Sequence, residues 1–125
     1  MAKVFLDANI IIDLIEKRQV LSLDDLTGNE VYFSPLSIHI LAYLFKYKMP
    51  EDGLLEALEN YMAVAFDESV LQKALEGPTN DFEDNVQLQS ADKAGCEVFL
   101  TYDKTLLKMS RFGQCKIIDR VPTKD

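Results

Sequence analysis

Hydrophobic residues along the chain fall into two alternating patterns. Short apolar runs, each bounded by polar or turn-forming residues, are typical of buried strands. They cover residues 3–6, 31–33, 62–66, 98–100 and 116–118. Between these runs, apolar residues recur every three or four positions, which predicts helices over 10–17, 34–48, 68–76 and 81–94, and a further helix after Pro50.

Turn and cap residues delimit these predicted elements. Asn9 and Asp81 can each accept hydrogen bonds from a helix N-terminus, and Gly95 is suited to a left-handed helix end. Short strands that alternate with helices imply an α/β fold, a three-layer α/β/α sandwich around a central, mostly parallel sheet of four or five strands. The length of 125 residues predicts a single domain, residues 1–125.

Composition excludes several classes of protein. No apolar stretch approaches the length of a membrane span and no secretory signal is present, so we expect no membrane association and a cytoplasmic location. Cys96 and Cys115 have no neighbouring Cys or His, which indicates buried free thiols rather than zinc ligands or a disulfide. The single histidine, His39, excludes a site built from several histidines.

The net charge of -8 argues against tight non-specific binding of nucleic acid. The bases are concentrated after residue 100. Lys104, Lys108 and Arg111 therefore predict a local basic rim that can contact phosphates, and Tyr102 beside them is a candidate for contact with a base.

Three acids are expected at the same edge of the sheet. Asp7 follows the first predicted strand, Asp103 follows the strand over 98–100, and Asp84 lies in the first turn of the helix over 81–94. Ligand sites of parallel sheets form at the carboxyl ends of the strands. Asp81 lies one helical turn before Asp84 and is a further candidate.

Crowded carboxylates require a positive partner, because two unit charges about 4 Å apart repel by about 4 kcal/mol at an effective dielectric near 20. An all-oxygen set suits Mg²⁺ or Mn²⁺. Such an ion can activate water for attack on a phosphodiester, so the set predicts nuclease chemistry. Any one of these acids taken alone is more often a cap or turn residue.

The motifs VFLDANIIID, NDFEDNVQLQSA and FLTYD, in this order, resemble those of the PIN domain (PilT N-terminus) family, which includes the VapC-like toxin ribonucleases. The resemblance extends from Val4 to about Ile118. It implies a parallel sheet flanked by helices, a metal-dependent endoribonuclease, a homodimer, and a small antitoxin protein as inhibitor. The implied substrate is RNA.

The resemblance also assigns roles to residues. Asp7, Asp84 and Asp103 would be the catalytic and metal-binding acids, supported by Asn9 and Thr101. The family places a second acid, a glutamate, six residues after a serine. Ser34 matches that serine, but Ile40 occupies the glutamate position.

Several interpretations of Ile40 remain open. Asp81 or Glu83 can supply a replacement oxygen, and Asp81 is the better candidate because Glu83 points away from Asp84 on their helix. His39 points about 100° away from Ile40. Alternatively, a weaker site of three acids cuts slowly, or the domain has lost catalysis and binds RNA or a protein. A phospho-acceptor receiver domain is a third class of function, but it needs paired acids after the first strand, and Asp67 is its only weak acceptor candidate.

Overall fold

The computed structural model describes residues 1–17 and 19–122; the rest of the predicted domain, residues 18 and 123–125, lies outside these ranges. Six strands form one sheet in the order β3-β2-β1-β4-β6-β5. The strands are β1 (Lys3–Leu6), β2 (Glu30–Phe33), β3 (Met62–Ala63), β4 (Val98–Leu100), β5 (Arg111–Phe112) and β6 (Cys115–Ile118). All neighbouring strands are parallel except β5, which runs antiparallel to β6.

Six α-helices accompany the sheet. They are α1 (Ala8–Ile12), α2 (Pro35–Leu44), α3 (Asp52–Leu58), α4 (Glu68–Glu76), α5 (Phe82–Lys93) and α6 (Lys104–Met109). A π-helical segment, Asp13–Lys17, continues α1, and a 3-10 turn spans Leu23–Leu26. Among the described residues, no helix combines the length and the apolar character that crossing a bilayer requires.

The alternation of side chains along β1 explains the three layers. Val4 and Leu6 are buried in a cluster with residues of α1, α2 and α3, whereas Phe5 is buried in a second cluster with residues of α5 and α6. Phe5 stacks on Phe99 of β4 with 5.5 Å between ring centroids. The predicted α/β/α sandwich with a mostly parallel sheet is therefore confirmed.

The predicted count of four or five strands is one or two too low, because β5 was not predicted. The chain turns back at Gly113, which has φ 59°, and pairs Phe112 with Cys115. This hairpin places a two-residue strand at one edge of the sheet, and β3, also of two residues, forms the other edge. Both cysteines are buried and free, as predicted.

Other element boundaries also differ from the predictions. Helix α1 begins at Ala8, two residues earlier than predicted, and its cap is Asp7 rather than Asn9. Helix α2 ends at Leu44 instead of residue 48, since Lys46 adopts a left-handed conformation with φ 54°. The strand predicted over 62–66 is limited to Met62–Ala63. Helix α6 was not predicted.

The order of the strands determines where a ligand site can form. After β1 the chain continues to β2 and β3 on one side, then crosses to β4 on the other side of β1. The carboxyl ends of β1 and β4 therefore flank a switch point, where open α/β sheets have their ligand crevice. Asp7 directly follows β1, and Thr101 directly follows β4.

Candidate active site

A cleft of about 270 Å³ opens at the carboxyl edge of the sheet. The residues that line it include five acids: Asp7, Asp81, Glu83, Asp84 and Asp103. No Lys, Arg or His lines this cleft in the part of the chain that the structure describes. The structure thus brings together the four acids predicted from the sequence and Glu83, the weaker candidate for a replacement oxygen. Larger cavities, of about 650, 590, 320 and 310 Å³, lie elsewhere, and none of them contains any of these acids.

Asp7 is held by hydrogen bonds to both of its carboxylate oxygens. Oδ1 accepts from the backbone N–H of Ala8 at 2.8 Å, which caps α1. Oδ2 accepts from the Thr101 hydroxyl at 2.7 Å and, more weakly, from Asn9 Nδ2 at 3.4 Å. The residue is only 4% exposed. This carboxylate is consequently fixed in orientation at the base of the cleft.

Thr101 joins the loops that follow β1 and β4. Its hydroxyl donates to Asp7 and accepts from Asn9 Nδ2 at 3.2 Å and from the Asp103 N–H at 3.0 Å. Asn9 Oδ1 in turn accepts from the N–H of Tyr102 at 3.2 Å. Thr101 is fully buried. Asn9 and Thr101 therefore tie the two acid-bearing loops together, the geometry expected of residues that support a site.

Replacing Thr101 with Val is expected to lower the free energy of unfolding by about 2 kcal/mol, because it removes one hydroxyl that serves three partners, one of them charged. Denaturant unfolding measures the change. Thr105→Val, an exposed position on α6, is the matched control. An equal loss in both variants would contradict the role given to the Thr101 hydroxyl.

The other predicted acids also begin helices. Asp81 Oδ1 accepts from the N–H of Asp84 at 2.9 Å and caps α5. Asp103 Oδ1 accepts from the N–H of Leu106 at 3.0 Å and caps α6. Asp84 lies in the first turn of α5. Asp81 and Asp103 can each cap a helix and still contribute to a site, because the cap uses Oδ1 and leaves the second carboxylate oxygen available.

The electrostatics of the cleft reflect burial and crowding. Burial raises the pKa of Asp7 to about 6, against the opposing hydrogen bonds from Thr101 and Ala8, and the nearby charge of Asp103 adds to the rise. Desolvation also raises the pKa of Asp84 to about 7, and the charge of Asp81 is the next largest cause. Perturbed carboxyl groups in a cleft are characteristic of functional sites.

The side chains of the cleft offer the type of ligand atom that a hard divalent cation prefers. All five acids offer oxygen, which Mg²⁺ and Mn²⁺ prefer, and two of them resist ionisation without a positive partner. In the described ranges, no three His, Cys, Asp or Glu side chains lie close enough to share one ion. Carboxylates without a cation between them repel each other, and Asp7, Asp81 and Asp103 also cap helices.

Ile40 lies in the wall of the cleft, where the sequence resemblance placed a glutamate. Its hydrocarbon side chain contributes no ligand. His39 does not line the cleft; its ring stacks on Tyr43 with 6.4 Å between centroids. Both acids considered as replacements from the sequence, Asp81 and Glu83, line this cleft.

Sequence reasoning missed Gln87, which is 1% exposed and lines the same cleft. It follows Asp84 by three residues, so both project from the same face of α5. That spacing was the available signal. Gln87 carries no charge, so the pattern of acids that predicted the site did not include it.

Several other predicted site residues lie outside the cleft. Ser34 is buried, and its hydroxyl caps α2 by accepting from the Leu36 N–H at 3.2 Å. The Tyr102 hydroxyl donates to Asp13 at 3.0 Å, and its ring packs against the cluster under α1, which directs this residue away from a base-contacting position. Asp67, the receiver-domain acceptor candidate, caps α4 and pairs with Lys93.

The predicted basic rim is only partly assembled. Lys104 is exposed next to Asp103, and Lys108 is exposed one turn further along α6. Arg111 is in register with Lys116, which pairs with Val98 at the start of β4. It therefore lies toward the opposite end of the strand from the cleft, because the unpredicted hairpin carries it there.

Comparisons with known proteins support the fold. A scan against protein-family models finds no match, and a search of curated proteins also finds none. A chain of VapBC2 from Rickettsia felis, in the crystal structure bound to a DNA fragment from their promoter, matches with a TM-score of 0.67 and 16% identity. The match covers 94% of this chain and 98% of that chain. This protein has a PIN-like fold.

A second PIN-like structure agrees. A chain of FitAB bound to the IR36 DNA fragment matches with a TM-score of 0.52 and 15% identity, and 98% of each chain is covered. At identities this low, the structural matches establish the fold alone, and the activity has to be argued from the site. The PIN-like resemblance first read from three sequence motifs is therefore confirmed as a likeness of fold over nearly the whole chain.

Proposed function

We propose that this protein is an Mg²⁺- or Mn²⁺-dependent endoribonuclease and the toxin of a toxin–antitoxin pair. The observation that carries the proposal is the convergence of five acids on one cleft at the switch point of a PIN-like sheet. The likeness to chains of VapBC2 and FitAB supports the toxin–antitoxin part. A small antitoxin protein and a second copy of this chain are the proposed partners.

In this mechanism Asp7, Asp84 and Asp103 hold the ion, and Asp81 is a further ligand. The bound ion supplies an activated water and stabilises the charge that develops on the phosphate. Asn9 and Thr101 keep the Asp7 carboxylate oriented through their hydrogen bonds. The exposed ammonium group of Lys104, next to Asp103, is the nearest proposed phosphate contact.

The test is cleavage of a panel of structured and single-stranded RNAs with Mn²⁺ or Mg²⁺. Asp7→Asn is expected to reduce cleavage at least about a hundredfold, as loss of a metal ligand or its support does. Asp52→Asn, an exposed acid on α3 outside the cleft, is the control and should cut like the wild type. Cleavage by Asp7→Asn at the rate of the wild type would refute the assignment.

A second candidate function is a binding module for RNA or a protein. It is favoured by the hydrocarbon side chain of Ile40 in the cleft wall and by the separation of the acids. Ile40→Glu distinguishes the two functions. An inactive wild type that gains metal-dependent cleavage on this substitution would indicate a site that has lost a ligand, whereas an active wild type supports the nuclease.

A further inference from the structure

Gln87 has an unusual hydrogen-bonding state at the base of the acidic cleft. Its Nε2 donates to the Ser37 hydroxyl of α2 at 2.8 Å. Its Oε1 is buried and accepts no hydrogen bond from the described residues. An unsatisfied buried acceptor is unfavourable, because it has lost its hydrogen bonds to water. A hydrogen-bond donor other than the described side chains would compensate for this loss.

The walls of the cleft offer that oxygen no donor. Once ionised to hold a cation, the carboxylates of the cleft only accept hydrogen bonds, and Ile40 has no polar atom. The amide N–H groups of Asn9 are directed to Asp7 and Thr101, and the N–H of Ala8 also serves Asp7. No donor among the described residues reaches this oxygen, so a guest molecule in the cleft can supply one.

Water on a divalent cation is a guest with the required chemistry. Mg²⁺ and Mn²⁺ keep several waters when they bind a few carboxylates, and those waters donate hydrogen bonds. Residues that accept from the surroundings of an ion fix its position and tune its affinity. Gln87 lies on the same face of α5 as Asp84, a proposed ligand.

We propose that Gln87 Oε1 accepts a hydrogen bond from a water molecule bound to the divalent ion, which makes Gln87 a positioning residue of the metal site. The proposal rests on the proposed function in that it requires an ion in the cleft. Ser37 holds the other end of the amide through Nε2, and Gln87 is part of the cleft lining. The pair thus links α2 to the metal site through a residue other than Ile40.

A purely structural role for Gln87 makes a different prediction. In that case Gln87 serves only to satisfy Ser37, and the two variants Gln87→Met and Ser37→Ala would lower thermal stability to a similar extent. Neither would alter the affinity for metal. The affinity for Mn²⁺ in the absence of RNA is therefore the decisive quantity.

The experiment is a titration of the full chain with Mn²⁺, followed by the electron paramagnetic resonance signal of the free ion. Gln87→Met keeps the shape of the side chain without its oxygen, and is expected to weaken Mn²⁺ binding about tenfold or more. Gln89→Met is the matched control, because Gln89 lies on the same helix and donates to the Gly77 carbonyl at 3.2 Å, outside the cleft. Its affinity should stay that of the wild type.

Gln87→Glu keeps the proposal testable if the Met variant does not fold. It retains an acceptor oxygen and adds a charge, so Mn²⁺ binding is expected to be equal or tighter. Weaker binding by Gln87→Glu, or equal binding by the wild type and Gln87→Met, would overturn this proposal alone. Absence of Mn²⁺ binding in the wild type would overturn both this proposal and the proposed metal-dependent nuclease.

Discussion

Asp7→Asn is expected to stabilise the metal-free protein by about 1–2 kcal/mol at pH 8, although it removes a proposed metal ligand. The ionised Asp7 carboxylate is buried, and burial raises its pKa to about 6. An Asn side chain carries no charge to desolvate and can still accept from the Ala8 N–H. Part of this stabilisation is lost, because an N–H donor replaces Oδ2, the oxygen that accepts hydrogen bonds from Thr101 and Asn9.

The stabilisation should depend on pH in a defined direction. The folded protein binds the Asp7 proton more tightly than the unfolded chain does. The contribution of Asp7 to the free energy of unfolding of the wild type therefore falls as the pH rises from about 4 to about 6. Above that range the loss is complete. The advantage of Asp7→Asn therefore grows over the same interval. Urea unfolding at pH 4, 6 and 8 measures it, and Asp52→Asn is the exposed control. A gain that is equal at all three pH values would contradict this explanation.

Affinity for Mn²⁺ is expected to rise on the order of a hundredfold between pH 5.5 and pH 8. The pKa values of Asp7 and Asp84, raised to about 6 and about 7, mean that both carboxyl groups must lose a proton before they can bind an ion. Calorimetric titration in buffers of different ionisation enthalpy measures both the affinity and the protons released. Affinity that does not change with pH would exclude these two acids as ligands.

The sequence predicted most of the fold because its strands are short apolar runs and its helices have regular caps. Residues 98–100 are fully recognisable as a buried strand, and Asp81 and Gly95 delimit α5 as expected. Helix α6 was not predicted because it is only six residues long, although an Asp followed by a run of helix formers is a start signal. The β5–β6 hairpin had a signal as well, a two-residue loop that begins with Gly113.

The sequence predicted which acids lie together in the cleft, but not the hydrogen bonds around them. Parallel strands bring their carboxyl ends to one edge, which is sufficient to place Asp7 and Asp103 together. No rule of spacing shows that the Tyr102 hydroxyl turns to Asp13, or that Gln87 reaches Ser37 across 50 positions of the chain. Such contacts depend on how helices pack on the sheet, and packing is set by the whole core rather than by a local motif.

The two edges of the sheet bear on how copies of this protein can associate. Strands β3 and β5 contain two residues each, so neither edge offers a long row of free backbone groups on which another strand could extend the sheet. This arrangement disfavours fibre growth by strand addition. Large apolar side chains are instead exposed on the helical layers, such as Tyr43 and Leu44 at the end of α2, which are 76% and 56% exposed.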